Sequence, residues 1–394
     1  MTLQTPRDEQ DASTIISDAA AKGTLLSLCG QNTKAAMGRP NQTDATVSSA
    51  ALTGITLYEP AELVIAARSG TPVAEVVRTL AEKGQALPFE PMDYRGLLGS
   101  RGEPTIGAVA AMNISGPRRV MAGAARDSLI GVRFVNGRGE VVKSGGRVMK
   151  NVTGLDLVKL MAGSWGTLGF LTEVIFKVLP KPERMSTLLM RGLDESRAVE
   201  ALSQALGSPF DITGAAHLPA PDRQGARTLI RLEGFSLSVD YRLNELRRLL
   251  PGFEAADILE GRGADALWQS VRDATVLSSS GERAVWRVST APTRGPDLAA
   301  QVARALDAQW FYDWGGGLVW IATPAEGDAG AAIIREATRV FGGHATLVRA
   351  PAEIRAQVDV FEPQAEPVMA LTRGVKASFD PAGILNPGRM YAGL

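Results

Sequence analysis

The chain has 394 residues, a length that favours two domains, and its 42 basic side chains balance its 42 acidic ones. A formal net charge of zero gives no electrostatic basis for binding nucleic acid or an anionic membrane surface, and we expect no nucleic-acid partner. One cysteine, Cys29, and two histidines, His217 and His344, are too few for a disulfide, a four-cysteine iron–sulfur cluster or a multi-histidine metal site, so we expect no metal.

The region from residue 24 to about residue 180 is rich in glycine and short apolar runs, which is typical of short strands and tight turns. A helix is predicted over 71–84, because Thr71 can cap its start and Gly84 can end it. Asn136-Gly137 predicts the turn of a hairpin. Strands are predicted at 24–29, 54–58, 63–67, 131–136 and 171–179.

Pro180-Lys181-Pro182 interrupts this pattern and predicts a boundary between a first domain over residues 1–182 and a second over 183–394. The alternation after it predicts a helix-backed antiparallel sheet. The tail, 366–391, predicts a helix that ends in a turn rich in proline and glycine. In the second domain, strands are predicted at 188–191, 228–234, 284–290, 318–322 and 346–349, and helices at 196–206, 237–250, 297–308 and 329–341.

The segment 150–174, KNVTGLDLVKLMAGSWGTLGFLTEV, is the strongest signal for a bound nucleotide. Its glycines at 154, 163, 166 and 169 flank a predicted short helix and precede a predicted strand. Closely spaced glycines let backbone N–H groups approach an anion without a clash with Cβ. The same glycines also fit tight turns between a helix and a strand, and the segment taken alone does not distinguish the two.

Two earlier segments carry related patterns. The loop 29–38, CGQNTKAAMG, follows a predicted strand and has the small and turn-forming residues that suit a pyrophosphate. The segment 105–127, TIGAVAAMNISGPRRVMAGAARD, has the small residues that leave room for a flat ring or a phosphate. Taken alone, the first also fits an ordinary polar turn, and the second fits a buried helix that packs closely on a neighbour.

Together, in this order, the segments resemble those of the vanillyl-alcohol-oxidase family of FAD-linked oxidases, whose FAD-binding domain is of the p-cresol methylhydroxylase (PCMH) type. The resemblance lies in KNVTGLDL with GSWGTLGFLTE at 150–173 and in FDPAGILNPGRMY at 379–391. Further segments narrow it to the E-subunit family of bacterial glycolate oxidase (glycolate dehydrogenase), over nearly the whole chain. These are GRP at 38–40, SGPRR at 115–119, VWRVS at 285–289, DWGGGLVW at 313–320 and GGHATLVR at 342–349.

The resemblance implies an α+β fold, in which a PCMH-type FAD-binding domain of two subdomains precedes a ferredoxin-like α+β cap domain. It also implies that 29–34 holds the pyrophosphate, that 105–119 lines the ribityl and isoalloxazine side, and that 163–167 meets the adenosine. The C-terminal segment returns to the flavin. The implied FAD-binding residues are Cys29, Gly30, Gln31, Asn32, Thr33, Lys34, Thr105, Gly107, Ala108, Ser115, Gly116, Arg126, Asp127, Gly163, Ser164, Gly166, Thr167, Val174, Asn386 and Gly388.

One departure from the family pattern is that its triple glycine is replaced by Gly30-Gln31-Asn32. A Cβ atom makes positive φ costly, although asparagine tolerates it best, so the change bears on the tightness of FAD binding and not on its location. The first domain has no histidine for a covalent flavin link. Cys29 is the remaining candidate, and a small thiol in a loop is more often unlinked.

The resemblance implies the FAD-binding subunit of a complex with a larger FAD-containing D subunit and an iron–sulfur F subunit, which oxidises glycolate and D-lactate to the 2-oxo acid. With one cysteine, the chain would have to pass electrons to another protein or to a diffusible acceptor. Two alternatives are a self-sufficient FAD-dependent 2-hydroxy-acid dehydrogenase and a non-catalytic scaffold that retains the fold.

The N-terminal residues are polar and acidic, unlike a secretory signal, and no apolar run of about 18 residues occurs. We expect a cytoplasmic protein, peripheral at the inner membrane only through its complex.

Oxidation of a 2-hydroxy acid needs a base for the hydroxyl proton and a cation for the carboxylate. We assign no catalytic residue, and the candidates are His344 as a base and Arg287 as the cation. His344 also fits a hydrogen-bonded histidine at the start of a strand, which we favour. Arg287 fits an ion pair on the surface of a sheet equally well.

Overall fold

A computed structural model describes residues 2–146, 155–220, 225–250, 253, 257–278 and 282–394, so residues 150–154 of the predicted nucleotide segment lie outside the described part. The strands are β1 Thr2–Gln4, β2 Leu26–Cys29, β3 Ala45–Ser48, β4 Ile55–Glu59, β5 Val64–Arg68, β6 Gln85–Ala86, β7 Leu129–Val135, β8 Val141–Gly145, β9 Phe170–Lys177, β10 Leu179–Pro180, β11 Arg184–Arg191, β12 Gly214–Leu218, β13 Arg227–Gly234, β14 Asp257–Glu260, β15 Arg283–Ser289, β16 Gln309–Asp313, β17 Leu318–Pro324 and β18 His344–Arg349. The helices are α1 Glu9–Lys22, α2 Val73–Ala81, α3 Arg95–Leu98, α4 Ile106–Met112, α5 Arg119–Ala122, α6 Ala125–Ser128, α7 Leu157–Met161, α8 Glu195–Leu206, α9 Ser236–Leu249, α10 Gly261–Arg272, α11 Gly295–Ala305, α12 Ala331–Phe341, α13 Ala352–Gln357 and α14 Glu366–Phe379. Across these ranges, no helix is long and apolar enough to cross a membrane.

The N-terminal half contains two larger sheets and a two-stranded antiparallel pair formed by β6 and β10. The first larger sheet is three-stranded and parallel, in the order β1-β3-β2, and the second is five-stranded and antiparallel, in the order β4-β5-β9-β7-β8. The predicted hairpin is the β7–β8 pair of the second sheet. This arrangement fits the two subdomains that the sequence predicts.

The helix predicted over 71–84 is shorter than expected, because α2 begins at Val73 and Pro72 occupies the cap position. Thr71 was expected to cap this helix, and that expectation was wrong. Its hydroxyl donates instead to the carbonyl of Arg68, at 2.7 Å, inside the preceding turn. Gly84 does lie just beyond the helix, with a positive φ of 62°.

The C-terminal half is built on one eight-stranded antiparallel sheet, in the order β14-β11-β13-β12-β16-β17-β15-β18. It consists of two β-α-β-β-α-β units, β11–β14 with α8 and α9, and β15–β18 with α11 and α12. Each unit has a ferredoxin-like strand order, and the units join at the β12–β16 pair. The predicted ferredoxin-like α+β fold is therefore confirmed, and the structure shows that it occurs twice.

The two faces of this sheet have different neighbours. Along β15, Trp286 and Val288 pack in the cluster formed with α11 and α12, whereas Val285 packs in the core shared with the N-terminal half. Alternate strand residues point to opposite faces, so Arg287 lies on the face of Val285. The sheet therefore presents Arg287 toward the N-terminal half.

The end of the chain returns to the N-terminal half, as the sequence predicts. Helix α14 ends at Phe379, and the segment after it runs beside β2, where Leu26 N donates to Ile384 O at 2.8 Å and Asn386 N donates to Leu26 O at 2.9 Å. A buried ion pair between Lys376 Nζ and Asp380 Oδ2, at 2.6 Å, lies at this turn. The boundary between residues 182 and 183, which falls between β10 and β11, stays a prediction.

Replacing Lys376 with methionine tests whether this ion pair holds the returning segment. We expect Lys376→Met to lower the free energy of unfolding by about 3–5 kcal/mol, because it leaves the buried Asp380 carboxylate without its cation. The measurement is urea unfolding followed by circular dichroism, with the exposed Lys83→Met as control. Equal stability of the two variants would contradict the assignment.

Candidate functional site

A cleft of about 340 Å³ lies in the N-terminal half where the C-terminal segment returns to it. Its walls come from β2 and the loop after it, from α4, from the loop before β9, and from Asn386 and Arg389. The predicted cofactor residues that line it are Cys29, Gly30, Gln31, Asn32, Thr33, Lys34, Thr105, Gly107, Ala108, Gly166 and Asn386. The structure thus brings all three predicted segments and the C-terminal motif to one cavity.

The loop after β2 packs its backbone directly onto the start of α4. A Cβ atom at Gly30 would collide with Thr105 Oγ1, so only glycine fits there without a shift. Ser48 Oγ donates to the carbonyl of Gly30 at 2.6 Å and holds the loop from its other side. Asn32 has a φ of 60°, so asparagine occupies a left-handed position that the family pattern fills with glycine.

Three buried polar atoms of the cleft lining, Ser69 Oγ, Thr105 Oγ1 and Asn41 Nδ2, have no hydrogen-bond partner in the part of the chain that the structure describes. Buried polar atoms are nearly always hydrogen-bonded, since an unpaired one costs about 1–3 kcal/mol. The cleft is therefore built to receive a ligand with several polar atoms.

Three cations line the same cleft without a carboxylate partner among the described residues: Lys34, Arg355 and Arg389. Arg389 donates to the carbonyls of Lys34 and Ala35, each at 3.3 Å, and Arg355 donates to that of Gly38 at 2.7 Å. Burial lowers the pKa of Lys34 to about 8 and that of Arg389 to about 10. Such a cluster of buried positive charge favours a phosphate-containing ligand.

Asn386 joins two walls of the cleft. Its side-chain oxygen accepts from Leu28 N on β2, and its Nδ2 donates to Trp165 O, both at 2.8 Å. A Cβ atom at Gly166 would lie 2.7 Å from Asn386 Nδ2, and Gly166 has a φ of 72°. Glycine at 166 is therefore required both by its backbone conformation and by the approach of Asn386.

The remaining predicted cofactor residues lie outside the cleft lining, and their roles toward a ligand stay predictions. Ser115 Oγ accepts from Ala125 N at 2.9 Å, and Asp127 Oδ2 accepts from Ala124 N at 2.8 Å, so both stabilise turns. Val174 is fully buried in the core. The residues in this group are Ser115, Gly116, Arg126, Asp127, Gly163, Ser164, Thr167, Val174 and Gly388.

The catalytic candidates His344 and Arg287 also lie outside the cleft lining. His344 lies at the start of β18, and part of its surface is exposed. Desolvation of its ring lowers its pKa, and the positive charge of Arg287 lowers it further. The guanidinium of Arg287 lies over the ring of Trp314, 5.0 Å from its centroid. No ion pair of Arg287 occurs within the described ranges, so the alternative of an ion pair on the sheet surface finds no support there.

Sequence reasoning missed several cleft residues, above all Ser69, Arg355 and Arg389. Arg389 had a usable signal, because this charged residue directly follows the NPG motif, which was predicted to return to the flavin. Arg355 and Ser69 had none, since they reach the cleft only through tertiary folding.

The lining fits FAD. The unpaired cations suit a pyrophosphate, the small residues Gly107 and Ala108 of α4 leave room for a flat ring, and the unpaired polar atoms suit hydroxyl or ring partners. Burial raises the pKa of the Cys29 thiol, which disfavours the reactive thiolate and hence a covalent flavin link at that residue.

Comparison with known proteins agrees with this geometry. A family described as "FAD binding domain" matches residues 3–145. The glycolate oxidase subunit GlcE of Escherichia coli (strain K12) is 36% identical over 379 residues, covering 96% of this chain and 96% of that protein. The glycolate oxidase subunit GlcD of Bacillus subtilis (strain 168) is 26% identical over 373 residues, covering 84% of this chain and 76% of that protein.

A similar fold occurs among solved structures. The structure of p-cresol methylhydroxylase with substrate bound superposes with a TM-score of 0.73 and 13% sequence identity, covering 98% of this chain and 88% of that one. At this identity the likeness concerns the fold alone, and it confirms the predicted PCMH-type architecture.

Replacing Arg389 with methionine tests the cationic wall. We expect Arg389→Met to weaken FAD binding by at least about tenfold, because a charge-assisted hydrogen bond is worth about 1.5–3 kcal/mol. The measurement is calorimetric titration of flavin-free protein with FAD, and the exposed Arg78→Met is the matched control. Unchanged affinity in Arg389→Met would count against the placement of the phosphates beside this residue.

Lys34 predicts a pH dependence of FAD binding. Its pKa of about 8 in the free site rises when a phosphate lies beside it, so binding takes up a proton between the two pKa values. FAD affinity should therefore fall as the pH rises from 8 to 9, by a factor that approaches about ten per pH unit.

The matched variant Lys34→Met should bind FAD more weakly at pH 7 and lose this slope. FAD titrations at pH 7, 8 and 9 measure both effects. An identical slope in the variant would show that another group is responsible.

Proposed function

The chain belongs to the family of glycolate oxidase E subunits, and we propose that it is the FAD-binding subunit of a multi-subunit complex that oxidises glycolate, and also D-lactate, to the 2-oxo acid. The chain is an FAD-dependent oxidoreductase, since an FAD-binding domain and FAD-linked relatives match it. The proposal for the substrate rests on one observation, the 36% identity to a glycolate oxidase subunit over 96% of both chains.

The residues of the cleft have distinct tasks in this proposal. Lys34, Arg355 and Arg389 neutralise the pyrophosphate, while Asn386 holds the returning segment against β2. Bound FAD supplies an acceptor for the hydride of the 2-hydroxy acid. The protein supplies the cavity and its positive charge.

Two steps of the reaction, the export of electrons and the removal of the hydroxyl proton, favour a complex because they need groups from other subunits. The chain has one cysteine, and its described residues contain no group of three or more His, Cys, Asp or Glu side chains that could hold a metal ion. Among the residues that the structure describes, those that line the cleft include no His, Asp or Glu that could accept the hydroxyl proton. We therefore propose that a larger FAD-containing subunit and an iron–sulfur subunit complete the reaction, with any membrane contact made through them.

A self-sufficient dehydrogenase is the second candidate, and one observation favours it. Arg287 and His344 are close enough for the charge of the arginine to lower the pKa of the histidine, so a cation and a base lie near each other in this chain. The third alternative, a scaffold that retains the fold, is disfavoured by the unpaired cations of the cleft.

The purified single chain separates the three candidates. We expect a yellow protein with about one FAD per chain that glycolate or D-lactate does not bleach under anaerobic conditions, and that bleaches when the co-purified subunits are present. Absorbance at the flavin bands measures both results. Bleaching of the isolated chain would overturn the proposal in favour of a self-sufficient enzyme, and a colourless protein with no affinity for FAD would favour the scaffold.

A further inference from the structure

We propose that Arg119 and Arg287, held on the ring of Trp314, form a binding site for the carboxylate of a small organic acid. The guanidinium carbons of Arg119 and Arg287 lie 4.7 and 5.0 Å from the centroid of the Trp314 ring. Arg119 begins α5 in the N-terminal half, and Arg287 lies on the face of β15 that is turned toward that half. The two cations therefore meet at the seam between the halves.

These two arginines differ from their neighbours at the seam, which have carboxylate partners. Arg231 pairs with Glu90 at 2.7 Å, Arg118 with Glu233 at 3.3 Å, and Arg272 with Asp273 at 2.7 Å. For Arg119 and Arg287, the described residues provide no ion pair and no side-chain hydrogen bond. Their guanidinium groups contact the ring of Trp314, and the acidic groups that act on them at longer range are Asp127 on Arg119 and Tyr94 and Asp313 on Arg287. Half-buried cations without an anion destabilise the free protein, and a bound anion relieves that cost.

Trp314 is a fixed platform for the two side chains. Its φ of 52° is a left-handed value that is strained for a tryptophan, and Asp313 Oδ1 accepts from Trp314 N at 2.7 Å to hold it. Across the seam, Trp314 Nε1 donates to Gly116 O at 3.2 Å. The ring is thereby tied to both halves of the protein.

The ligand class follows from the way the arginines are held. A guanidinium that lies over a ring uses its face, so the N–H donors in its plane stay available for an acceptor. The two oxygens of a carboxylate can accept from two such donors, and the planar carboxylate matches the planar donor fork of a guanidinium. Asp313 compensates the charge of Arg287 only in part near neutral pH, because burial raises the pKa of its carboxyl to about 7.

This site lies on the same segment as the cleft wall, since Met112 lines the cleft and Gly116 and Arg119 follow it in the chain. The identity of the acid as the 2-hydroxy acid of the complex rests on the proposed function. The carboxylate site itself rests only on the unpaired arginines and their platform.

Oxalate is a suitable probe, because it presents carboxylates and has no hydroxyl group to oxidise. We expect calorimetric titration of the FAD-loaded chain to show one oxalate site, and Arg119→Gln and Arg287→Gln each to weaken it by about tenfold or more. The exposed Arg262→Gln is the matched control and should bind like the wild type. Unchanged affinity in both seam variants, or equal affinity for inorganic phosphate, would overturn the proposal.

His344 provides a second readout that a merely structural role of the arginines would not move. Desolvation and the charges of Arg287, Arg119 and Arg335 lower the pKa of His344, while Glu362 raises it. A carboxylate bound between Arg119 and Arg287 offsets their field, so oxalate should raise the pKa of His344 in the wild type and change it much less in Arg287→Gln.

Nuclear magnetic resonance can follow this titration directly, because the chain has only two histidines and the buried His217, on β12, serves as the internal reference. An oxalate-independent pKa of His344 would overturn the site. Failure of the two proposals is distinguishable: oxalate binding without oxidation of glycolate by the complex removes only the proposed function, and intact oxidation without oxalate binding removes only this site.

Discussion

The buried ion pair between Lys376 and Asp380 is the interaction on which the cleft depends. Besides the ammonium of Lys376, the Asp380 carboxylate accepts from Ile384 N at 3.1 Å and from Leu385 N at 2.8 Å, and Lys376 Nζ also donates to Leu385 O at 2.7 Å. These contacts fix the path of the chain after α14. They place Asn386 against Leu28, a residue 358 positions earlier in the sequence, and they bring Arg389 to the loop after β2.

Positive charge without a carboxylate partner is the second property on which the site depends. Elsewhere at the seam, buried arginines such as Arg231 have carboxylate partners, which compensates part of their desolvation. In the cleft, Arg389 donates to two carbonyl groups and Lys34 donates to the hydroxyl of Thr33, and neither has a carboxylate partner among the described residues. Charges left uncompensated in this way reduce the stability of the free protein and are explained by a ligand that carries the opposite charge.

The sequence predicted the elements whose own residues determine them. The Asn136-Gly137 turn and the Val- and Ile-rich strands carry local signals, and these elements are confirmed. Strand β12, GAAHL, was missed, because its small residues have low strand propensity. It is a strand because it is buried between β13 and β16. Thr71 illustrates the opposite case, since a residue suited to cap a helix is used by the preceding turn.

The residues of the site divide in the same way, into those with a local sequence signal and those that only tertiary contacts bring to the cleft. The glycine-rich loops and the NPG motif could be found from sequence, because backbone conformation requires those residues at Gly166 and at the loop after β2. The cationic wall could not, since Arg355 lies on a helix of the second half and reaches the cleft through tertiary contacts such as the bond from its Nη1 to Gly38 O at 2.7 Å. Charged residues that come from distant elements have no local sequence pattern from which their role could be predicted.

The most direct test of the central claim, that this chain holds FAD in the cleft, is the FAD content of a Gly30→Ala variant. The account predicts that the wild type and the control Gly263→Ala, where an added Cβ meets nothing within 4 Å, each retain about one FAD per chain. Gly30→Ala should remain folded and lose most of its FAD, because the new Cβ displaces Thr105 and the loop after β2. Full FAD content in Gly30→Ala, with unchanged affinity, would contradict the account.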